Sequence, residues 1–348
     1  MRNFTEHLIP QGTRLKVALV SLNKLGEDAI VFIVGEQRQL IGSLTDGDVR
    51  RGLLKNFTTD DRVEAFLKPN PKFIRKDRFS IKDIIELRKN KFLIIPVINC
   101  HHEVVNVLNF RFLRSYLPFD AVIMAGGKGS RLKPLTNNIP KPLLKVGNKT
   151  IIDHGLDRLR QFGVDDFWIS LNHLGEQIEA HFGDGKARGV NINYIREEKP
   201  LGTIGAVGHV KEFQHDYVLV TNSDILTNIN YEDFFLEFLK TEADMAVVSI
   251  PYEVNVPYAV LETSGNQILS FTEKPTFTYH SNGGIYLIKR KMLEHIPVGK
   301  VYNSTDLMQK LILEGHQVIS YPMVQYWLDI GKPCDYEKAQ EDINHIYI

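Results

Sequence analysis

Three glycines and an arginine lie close together in the segment VIMAGGKGSRLKPLTNNIPKPLL, residues 122–144. Gly126, Gly127 and Gly129 carry no side chain, so the backbone there can approach a ligand closely and point several N–H groups at one anion. Arg131 adds a planar guanidinium fork that matches phosphate oxygens. These residue types at this spacing predict a loop that binds a polyphosphate.

The same segment departs from the two commonest phosphate-binding motifs. Leu132 stands where the dinucleotide fingerprint requires its third glycine, and no Gly-Lys-Ser/Thr sequence follows for a Walker loop. Lys141 stands between two prolines, whose fixed φ presents the lysine from a stiff segment. A tight turn with a surface arginine is the structural alternative, and the proline-lysine-proline continuation favours the phosphate loop.

An acidic residue provides a second candidate for chemistry. Asp224 follows the apolar run YVLVT, which predicts a strand. A carboxylate at the carboxyl end of a central strand, opposite a phosphate loop, suits Mg²⁺, a hard ion that prefers oxygen ligands. The alternative is that Asp224 caps the backbone that follows it.

The elements that must position these residues alternate between strand and helix from about residue 120 onward. This pattern predicts an α/β fold with a mostly parallel sheet, whose ligands lie beyond the carboxyl ends of the strands. The predicted strands are 121–125, 167–171, 190–195, 217–221 and 244–250. The predicted helices are TIIDHGLDRLRQF, LGEQIEAHF (ended by Gly183) and FFLEFLK.

Composition restricts the class of protein. The 348 residues have a formal net charge of zero and no basic or acidic block, so no nucleic-acid track and no polybasic membrane patch are expected. Cys100 and Cys334 are isolated, which favours reduced thiols over zinc or a disulfide framework. The segment MRNFTEHLIPQG has no apolar h-region, and no apolar run reaches membrane length. A cytoplasmic location is therefore expected.

A boundary between two domains is expected near SYLPFD, residues 115–120. Before it, residues 30–54 resemble residues 92–117, and both read as strand, turn, strand and a helix that opens with arginines. A helical pattern precedes each copy. A repeat of roughly 63 residues is longer than a solenoid unit and indicates two copies of one small α/β unit.

The second part of the chain, residues 119–348, resembles the sugar-1-phosphate nucleotidyltransferases. The glycine loop, the PKP element and five later motifs, EEKPLGT, TNSD, FTEKP, SNGG and YWLDIGKPCDY, occur in the order of that family. The resemblance implies a Rossmann-like (GT-A type) domain with a mixed, mostly parallel sheet. It also implies Mg²⁺-dependent joining of an NTP and a sugar-1-phosphate, with release of pyrophosphate.

The resemblance further implies a role for each motif residue. Asp224 and Asp329 would hold the metal, Arg131 would stabilise the pyrophosphate, and Lys141 would contact phosphate near the reacting centre. Lys332 departs from the family, which has threonine there. The residues implied to bind the nucleotide are Ala125, Gly126, Gly127, Gly129, Ser130, Arg131, Glu197 and Gly202. Those implied to bind the sugar phosphate are Glu273, Lys274, Asn282 and Gly283.

The nucleotide base can be argued from Glu197. A carboxylate accepts hydrogen bonds and donates none, so it matches the paired N1–H and N2–H₂ donors of guanine. GTP is therefore favoured, with CTP or dTTP as alternatives, and a solvated loop charge is the structural alternative. Mannose, glucose and glucosamine phosphates stay open as acceptors; the analogy with surface-sugar biosynthesis favours an amino sugar. A non-catalytic nucleotide-sensing regulator is the alternative of a different class.

The first part, residues 1–118, resembles a tandem CBS pair because LTDGDVRR closes the first copy. The resemblance implies that Thr45 and Asp48 hold the ribose of an adenine nucleotide. The second copy has Asn109 and Phe112 at the matching positions, so at most one cleft is equipped. A helix cap formed by Thr45 and Asp48 is the equally weighted alternative. Because CBS pairs commonly associate, a homo-oligomer is also implied.

Overall fold

The computed structural model describes residues 4–346, which divide into two compact units. The N-terminal unit comprises the chain up to Pro118 together with Arg160–Asp165 and Ala187–Gly189. The C-terminal unit comprises Phe119–Leu159, Asp166–Lys186 and the chain from Val190 onward. Among the helices within residues 4–346, none is both long and apolar enough to cross a membrane.

The N-terminal unit consists of two small sheets with short helices. Its helices are α1 (Leu15–Leu25), α2 (Asp46–Leu53) and α3 (Ile81–Lys89). Its strands are β1 (Leu8–Pro10), β2 (Ile30–Val34), β3 (Leu40–Thr45), β4 (Lys68–Pro69), β5 (Ile74–Arg75), β6 (Ile94–Ile98) and β7 (Val104–Asn109). The strand orders are β1-β2-β3-β4 in one sheet and β5-β6-β7 in the other.

The repeat seen in the sequence is present in this unit. In both copies a short strand pairs parallel with a five-residue strand, which then pairs antiparallel with the next strand. Both hairpins shift register between the fourth and fifth residues of the five-residue strand. The copies also join each other reciprocally, since Leu40 donates to the carbonyl of His102 (3.0 Å) and Val104 donates to the carbonyl of Arg38 (2.9 Å).

The helix expected at the end of the second copy is absent, and this part of the prediction is wrong. Residues 110–118 form turns and irregular backbone after β7. The N–H groups of Arg114 and Leu117 donate to the carbonyls of Gln161 and Phe162, at 2.6 and 3.2 Å, instead of forming helical bonds. Pro118 then follows, and the residue before a proline is disfavoured in the helical region.

The C-terminal unit is a mixed α/β domain with a central seven-stranded sheet. Its helices are α4 (Ile151–Gln161), α5 (Gly175–Phe182), α6 (Tyr231–Lys240), α7 (Ser304–Leu313) and α8 (Pro333–Asp342). Its strands are β8 (Phe119–Met124), β9 (Lys145–Val146), β10 (Lys149–Thr150), β11 (Asp166–Leu171), β12 (Asn191–Arg196), β13 (Tyr217–Asn222), β14 (Ile225–Thr227), β15 (Met245–Asn255), β16 (Val260–Ser264), β17 (Gln267–Thr272), β18 (Thr276–Lys289), β19 (Val318–Pro322) and β20 (Trp327–Asp329).

The order of the central sheet is β12-β11-β8-β13-β18-β15-β19. All neighbouring pairs are parallel except the two that involve β18. The strands predicted from the sequence therefore form a mostly parallel sheet, as expected. Val122, Val218 and Val220 are buried in its core because helices cover this sheet, as the continuous apolar runs predict.

Strand direction brings the candidate residues to one edge. β8 runs parallel to both β11 and β13, so the segments after Met124, Leu171 and Asn222 leave the sheet at the same edge. A second contact tightens this edge, since the N–H of Ser223 donates to the carbonyl of Met124 at 3.2 Å. The glycine loop and Asp224 are thereby placed side by side.

An exposed extension leaves the central sheet beyond β15 and β18. Residues 251–282, which we call the β-arm, are exposed except for the half-buried Val256 and Pro275. The outer parts of β15 and β18 form its ribbon, and the hairpin of β16 and β17 forms its tip. At its root Gly284 has a φ of +70°, and a Cβ there would lie 2.7 Å from the Asn222 amide nitrogen. Only glycine fits this bend.

Candidate functional site

The glycine loop follows β8 and is held by close packing. Gly129 has a φ of +60°, and a Cβ on it would lie 2.9 Å from the Cβ of Lys141. Thr136 donates its hydroxyl to the carbonyl of Gly129 at 2.8 Å, which fixes the turn. By contrast, a Cβ on Gly127 would meet nothing within 4 Å. The loop is therefore tight on its inner side at Gly129 and open at Gly127, where a ligand can approach the backbone.

Lys141 lies inside the site. It is buried within a 3-10 turn, Lys141–Leu143, and its ammonium group donates to a carboxylate oxygen of Asp224. The expected contact of Lys141 with substrate phosphate stays a prediction, and in this structure its partner is Asp224.

Asp329 lies beside Asp224 because two short strands pair there. β14 and β20 are antiparallel with Ile225 opposite Asp329, and the N–H of Ile330 donates to the carbonyl of Asp224 at 3.0 Å. Burial raises the pKa of Asp329, and the negative charge of Asp224 raises it further, while Lys141 and Arg131 oppose this shift. The two aspartates assigned to a metal are thus brought together.

The chemistry of this pair fits a divalent cation. Within residues 4–346, Oδ1 of Asp224 and Oδ1 of Asp329 are buried without a hydrogen-bond partner. Such orphaned buried acceptors are uncommon in folded proteins, and each lacks the compensation that a buried charge needs. Two carboxylate oxygens are ligands that Mg²⁺ prefers. The arrangement therefore has the donor set and the charge for the metal.

Arg131 also reaches this end of the site. A Cβ on Gly331 would lie 3.5 and 3.6 Å from the two terminal guanidinium nitrogens of Arg131. Arg131 is exposed and its charge lowers the pKa of Asp329. A guanidinium is therefore available beside the aspartates and at the end of the glycine loop. Lys332 lies nearby at the start of α8, where its side chain is exposed.

Glu197 lies under the glycine loop, and its carboxylate has two partners. It accepts hydrogen bonds from the hydroxyl of Ser170 and from the N–H of Leu201, the latter at 2.9 Å. A Cβ on Gly126 would lie 2.8 Å from Oε1 of Glu197, so these two residues pack directly. A carboxylate has about four acceptor positions, so Glu197 retains capacity for a ligand while it orders the loop.

A cleft of about 300 Å³ opens beside Asp329 and includes two of the residues expected to bind the sugar phosphate, Asn282 and Gly283. Oδ1 of Asn282 accepts from the N–H of Gly284 (2.9 Å) and from the hydroxyl of Tyr286 (3.0 Å). The carbonyl side is thus engaged, so the two amide donors can face a ligand.

Other lining residues were not identified from the sequence. They are Thr203, Asn222, Ile225, Gly284, Tyr286, Asn303, Ser304, Thr305 and Trp327. Ser304 and Thr305 lie in the first turn of α7, whose helix dipole favours an anion. The N–H of Ser304 itself donates to the hydroxyl of Thr203, at 2.9 Å. The capping signature NSTD could have located this helix start, whereas its position in the cleft depends on long-range folding.

Two expected residues of the sugar site lie elsewhere. Glu273 and Lys274 are exposed in the connection between β17 and β18, and neither lines the cleft beside Asp329. Six residue steps along β18 separate Thr276 from Asn282, which corresponds to about 20 Å. A role of all four residues in binding the sugar phosphate therefore stays a prediction, and the structure places only Asn282 and Gly283 at this cleft.

The remaining predicted residues have local roles in the structure. Gly202 has a φ of +82°, and a Cβ there would lie 2.6 Å from the carbonyl of Tyr302, so packing alone requires glycine. Ala125 is buried and Ser130 is exposed at the loop. Thr45 and Asp48 form a capping box at α2, with bonds of 2.9 and 3.3 Å to backbone N–H groups. This is the helix-cap alternative for that pair.

A known family matches this part of the chain. The family model described as Nucleotidyl transferase matches residues 120–345, which is more than half of the sequence. The fold is thus that of a mixed α/β nucleotidyltransferase. The chain belongs to the nucleotidyl transferase family, a family of enzymes.

Several curated relatives are similar over the same region. A UTP–glucose-1-phosphate uridylyltransferase of Synechocystis is 33% identical, with 63% of this chain and 62% of the relative covered. A mannose-1-phosphate guanylyltransferase of Mycobacterium tuberculosis is 31% identical, with 64% of each covered. A D-glycero-alpha-D-manno-heptose 1-phosphate guanylyltransferase of Aneurinibacillus thermoaerophilus is 29% identical, with 65% of this chain and 99% of the relative covered. The chain spans less than two thirds of the first two relatives.

Solved structures agree with this fold. HddC from Yersinia pseudotuberculosis is 27% identical with a TM-score of 0.52, covering 65% of this chain and 99% of HddC. HddC complexed with GMP-PN gives 26% identity and a TM-score of 0.50, with the same coverage.

Proposed function

We propose that the C-terminal unit catalyses Mg²⁺-dependent nucleotidyl transfer from an NTP to a hexose-1-phosphate, which gives an NDP-sugar and pyrophosphate. The observation that carries this proposal is the pair of buried, unpartnered carboxylate oxygens on Asp224 and Asp329. They lie beside the glycine loop and next to a polar cleft. This arrangement supports a charged site that holds two phosphate-bearing substrates.

In the proposed reaction an oxygen of the sugar phosphate attacks the α-phosphorus of the NTP in line. A P–O bond forms there, and the bond from the α-phosphorus to the bridging oxygen of pyrophosphate breaks. Bound Mg²⁺ would supply Lewis-acid charge neutralisation. Arg131 balances the charge on the departing pyrophosphate, and the loop backbone holds the NTP phosphates. No protein nucleophile is required, because positioning and charge compensation lower the barrier.

For the base we propose guanine, and the support is chemical and comparative. Glu197 has unused acceptor capacity for the donor pair of guanine. Two of the relatives are named guanylyltransferases, and a related structure is complexed with GMP-PN. The first relative is named for UTP, so UTP joins CTP and dTTP as an alternative nucleotide substrate.

For the acceptor we propose a hexose-1-phosphate, and an amino sugar such as glucosamine-1-phosphate by analogy alone. The amide donors of Asn282 and the first turn of α7 in the cleft support a phosphorylated sugar. The product would enter surface-sugar biosynthesis, with the reaction in the cytoplasm.

We also propose that residues 1–118 form a tandem CBS pair. The matched hairpins and the reciprocal bonds between the two copies support this interpretation. Because the capping box accounts for Thr45 and Asp48, an adenine nucleotide at this position requires a direct binding measurement.

The proposed reaction is tested by pyrophosphate release. Four NTPs are each combined with mannose-, glucose- and glucosamine-1-phosphate, with Mg²⁺ and with EDTA. We expect release with GTP and one acceptor, loss in EDTA, and a decrease of about 100-fold or more in Asp224→Asn. Asp216→Asn is the matched control, since Asp216 is exposed and pairs with Arg290. Wild-type rates in Asp224→Asn, or no release with any pair, would contradict the proposal.

A further inference from the structure

The ribbon of the β-arm has one apolar and one polar face. Tyr252 lies opposite Tyr279 and Val254 lies opposite Phe277, and directly opposed residues of antiparallel strands share a face. The opposite face carries small or polar residues: Pro251, Glu253, Asn255, Thr276, Thr278 and His280. This alternation is typical of a sheet with one face packed against protein. In this chain the apolar face is uncovered: Tyr252 is 61% exposed and Tyr279 is 59% exposed.

A ribbon of this kind has little stability alone. Beyond Ser249, β15 pairs only with β18 within the described chain, so the outer ribbon has two strands and free edges. Two-stranded ribbons are marginal in water, and a third strand or a packed face is needed to stabilise them. The tip adds a further uncovered apolar pair, since Leu261 opposes Phe271 and both are exposed.

The uncovered area is large enough for a stable interface. The arm exposes five aromatic side chains: Tyr252, Tyr258, Phe271, Phe277 and Tyr279. At 150–250 Å² each and somewhat more than half exposed, they present roughly 600 Å² of surface. Two such arms reach about 1,200 Å², the lower bound of a standard protein interface. Spread over one arm, this sum is at the upper end of what the largest apolar patch of a typical monomer exposes.

The charge of the arm identifies the partner. Its charged side chains are three glutamates and one lysine, and the apolar face of the ribbon carries none. A lipid-facing surface would be flanked by several lysines and arginines, and a charged partner would require a patch of one sign. An uncharged apolar face can instead pack against the same face of a second copy without like-charge repulsion. A two-fold interface brings together the same patch of both copies in this way.

We infer that the β-arm is a dimerisation arm: two copies of this chain associate so that each copy covers the apolar face of the other copy's arm. Gly284, with its φ of +70°, lies at the root of the arm, and the partner copy supplies the packed surface that the ribbon lacks. The inference concerns assembly and does not depend on the proposed reaction.

The experiment measures how protection of the arm amides from hydrogen exchange changes with protein concentration. Only a contact between copies follows mass action in this way. Full-length protein is studied by hydrogen exchange with mass spectrometry of peptides from residues 251–282, together with sedimentation equilibrium. The test variant is Phe277→Ser with Tyr279→Ser. The control variant is Thr278→Ser with His280→Ser on the opposite face of the same strand. All four side chains are exposed, so equal unfolding temperatures are expected at protein concentrations low enough for every variant to be monomeric.

We expect arm amides of the wild type to gain protection as the dimer forms, with the control behaving alike. The test variant should lose this protection and weaken association by about tenfold or more, since truncated aromatic anchors typically cost that much. The inference would be overturned by arm protection that is independent of concentration, by unprotected arms in a fully associated chain, or by a test variant that matches the wild type.

Discussion

Lys141 and Asp224 illustrate what individual residues contribute to this site. The lysine neutralises one aspartate of a close carboxylate pair, while Oδ1 of each aspartate is left without a partner. Two like charges at short distance raise the free energy of the site. A bound cation would remove that cost, which is the physical basis of the proposed metal site.

Glu197 supports a prediction about base selection. Glu197→Gln replaces one acceptor oxygen by an NH₂ donor, so it should weaken recognition of the guanine donor pair. We expect the ratio of kcat/KM for GTP to that for UTP to fall about tenfold, as lost base contacts usually cost 1–3 kcal/mol. Glu198→Gln, at the exposed neighbouring residue, is the control.

One result with Glu197→Gln would contradict a role of Glu197 in base recognition. An equal decrease in kcat/KM with all four NTPs would mean that Glu197 acts only through its bonds to Ser170 and Leu201, as an anchor of the loop.

At the level of elements, Gly129 constrains the glycine loop more than Gly127 does. Gly129→Ala places a Cβ 2.9 Å from Lys141 at a φ of +60°. We expect it to lower the free energy of unfolding by about 1–3 kcal/mol. Gly127→Ala should leave stability unchanged, since a Cβ there meets nothing within 4 Å. Urea unfolding followed by tryptophan fluorescence measures both, and equal stabilities would contradict the assignment.

Strand β8 contains a buried acid with a consequence for pH. Burial raises the pKa of Asp120 to about 6, although the nearby His215 and two backbone N–H groups oppose the shift. The folded chain therefore binds this proton more tightly than the unfolded chain. Its stabilising contribution is complete below a pH of about 4 and is lost as the pH rises through about 6.

The Asp120→Asn variant tests this directly, because its side chain is neutral at every pH. Relative to the wild type, the variant should gain about 2 kcal/mol between pH 4 and pH 7. The urea midpoint of tryptophan fluorescence is a suitable readout, since Trp168 and Trp327 both lie in the C-terminal unit. A constant difference between the two proteins across this range would show that Asp120 keeps an ordinary pKa.

Sequence patterns predicted the elements well where local signals suffice. The apolar runs before Gly126 and Asp224 predicted β8 and β13, and the order of these strands follows from parallel pairing. The strand predicted at 244–250 continues to Asn255, because cross-strand pairing with β18 extends it through Pro251. Such long-range pairing leaves no mark in a single segment.

For the whole molecule, the motif order identified the family but not the distances between motifs. The FTEKP and SNGG motifs are neighbours in sequence, yet the extended β-arm separates Lys274 from Asn282. Trp327 and Ser304 were missed for the opposite reason, since they are remote in sequence and meet only in the folded cleft. Tertiary packing decides these positions, and no local sequence signal encodes it.

The central claim is that Asp224 and Asp329 together hold one divalent cation. The most direct measurement is binding of Mn²⁺ to the full-length protein, followed by electron paramagnetic resonance with and without GTP. We expect one bound Mn²⁺ in the wild type and in Asp216→Asn. In Asp224→Asn and Asp329→Asn the affinity should fall at least about tenfold, because each loses a charged oxygen ligand. Unchanged Mn²⁺ affinity in both variants would contradict the account.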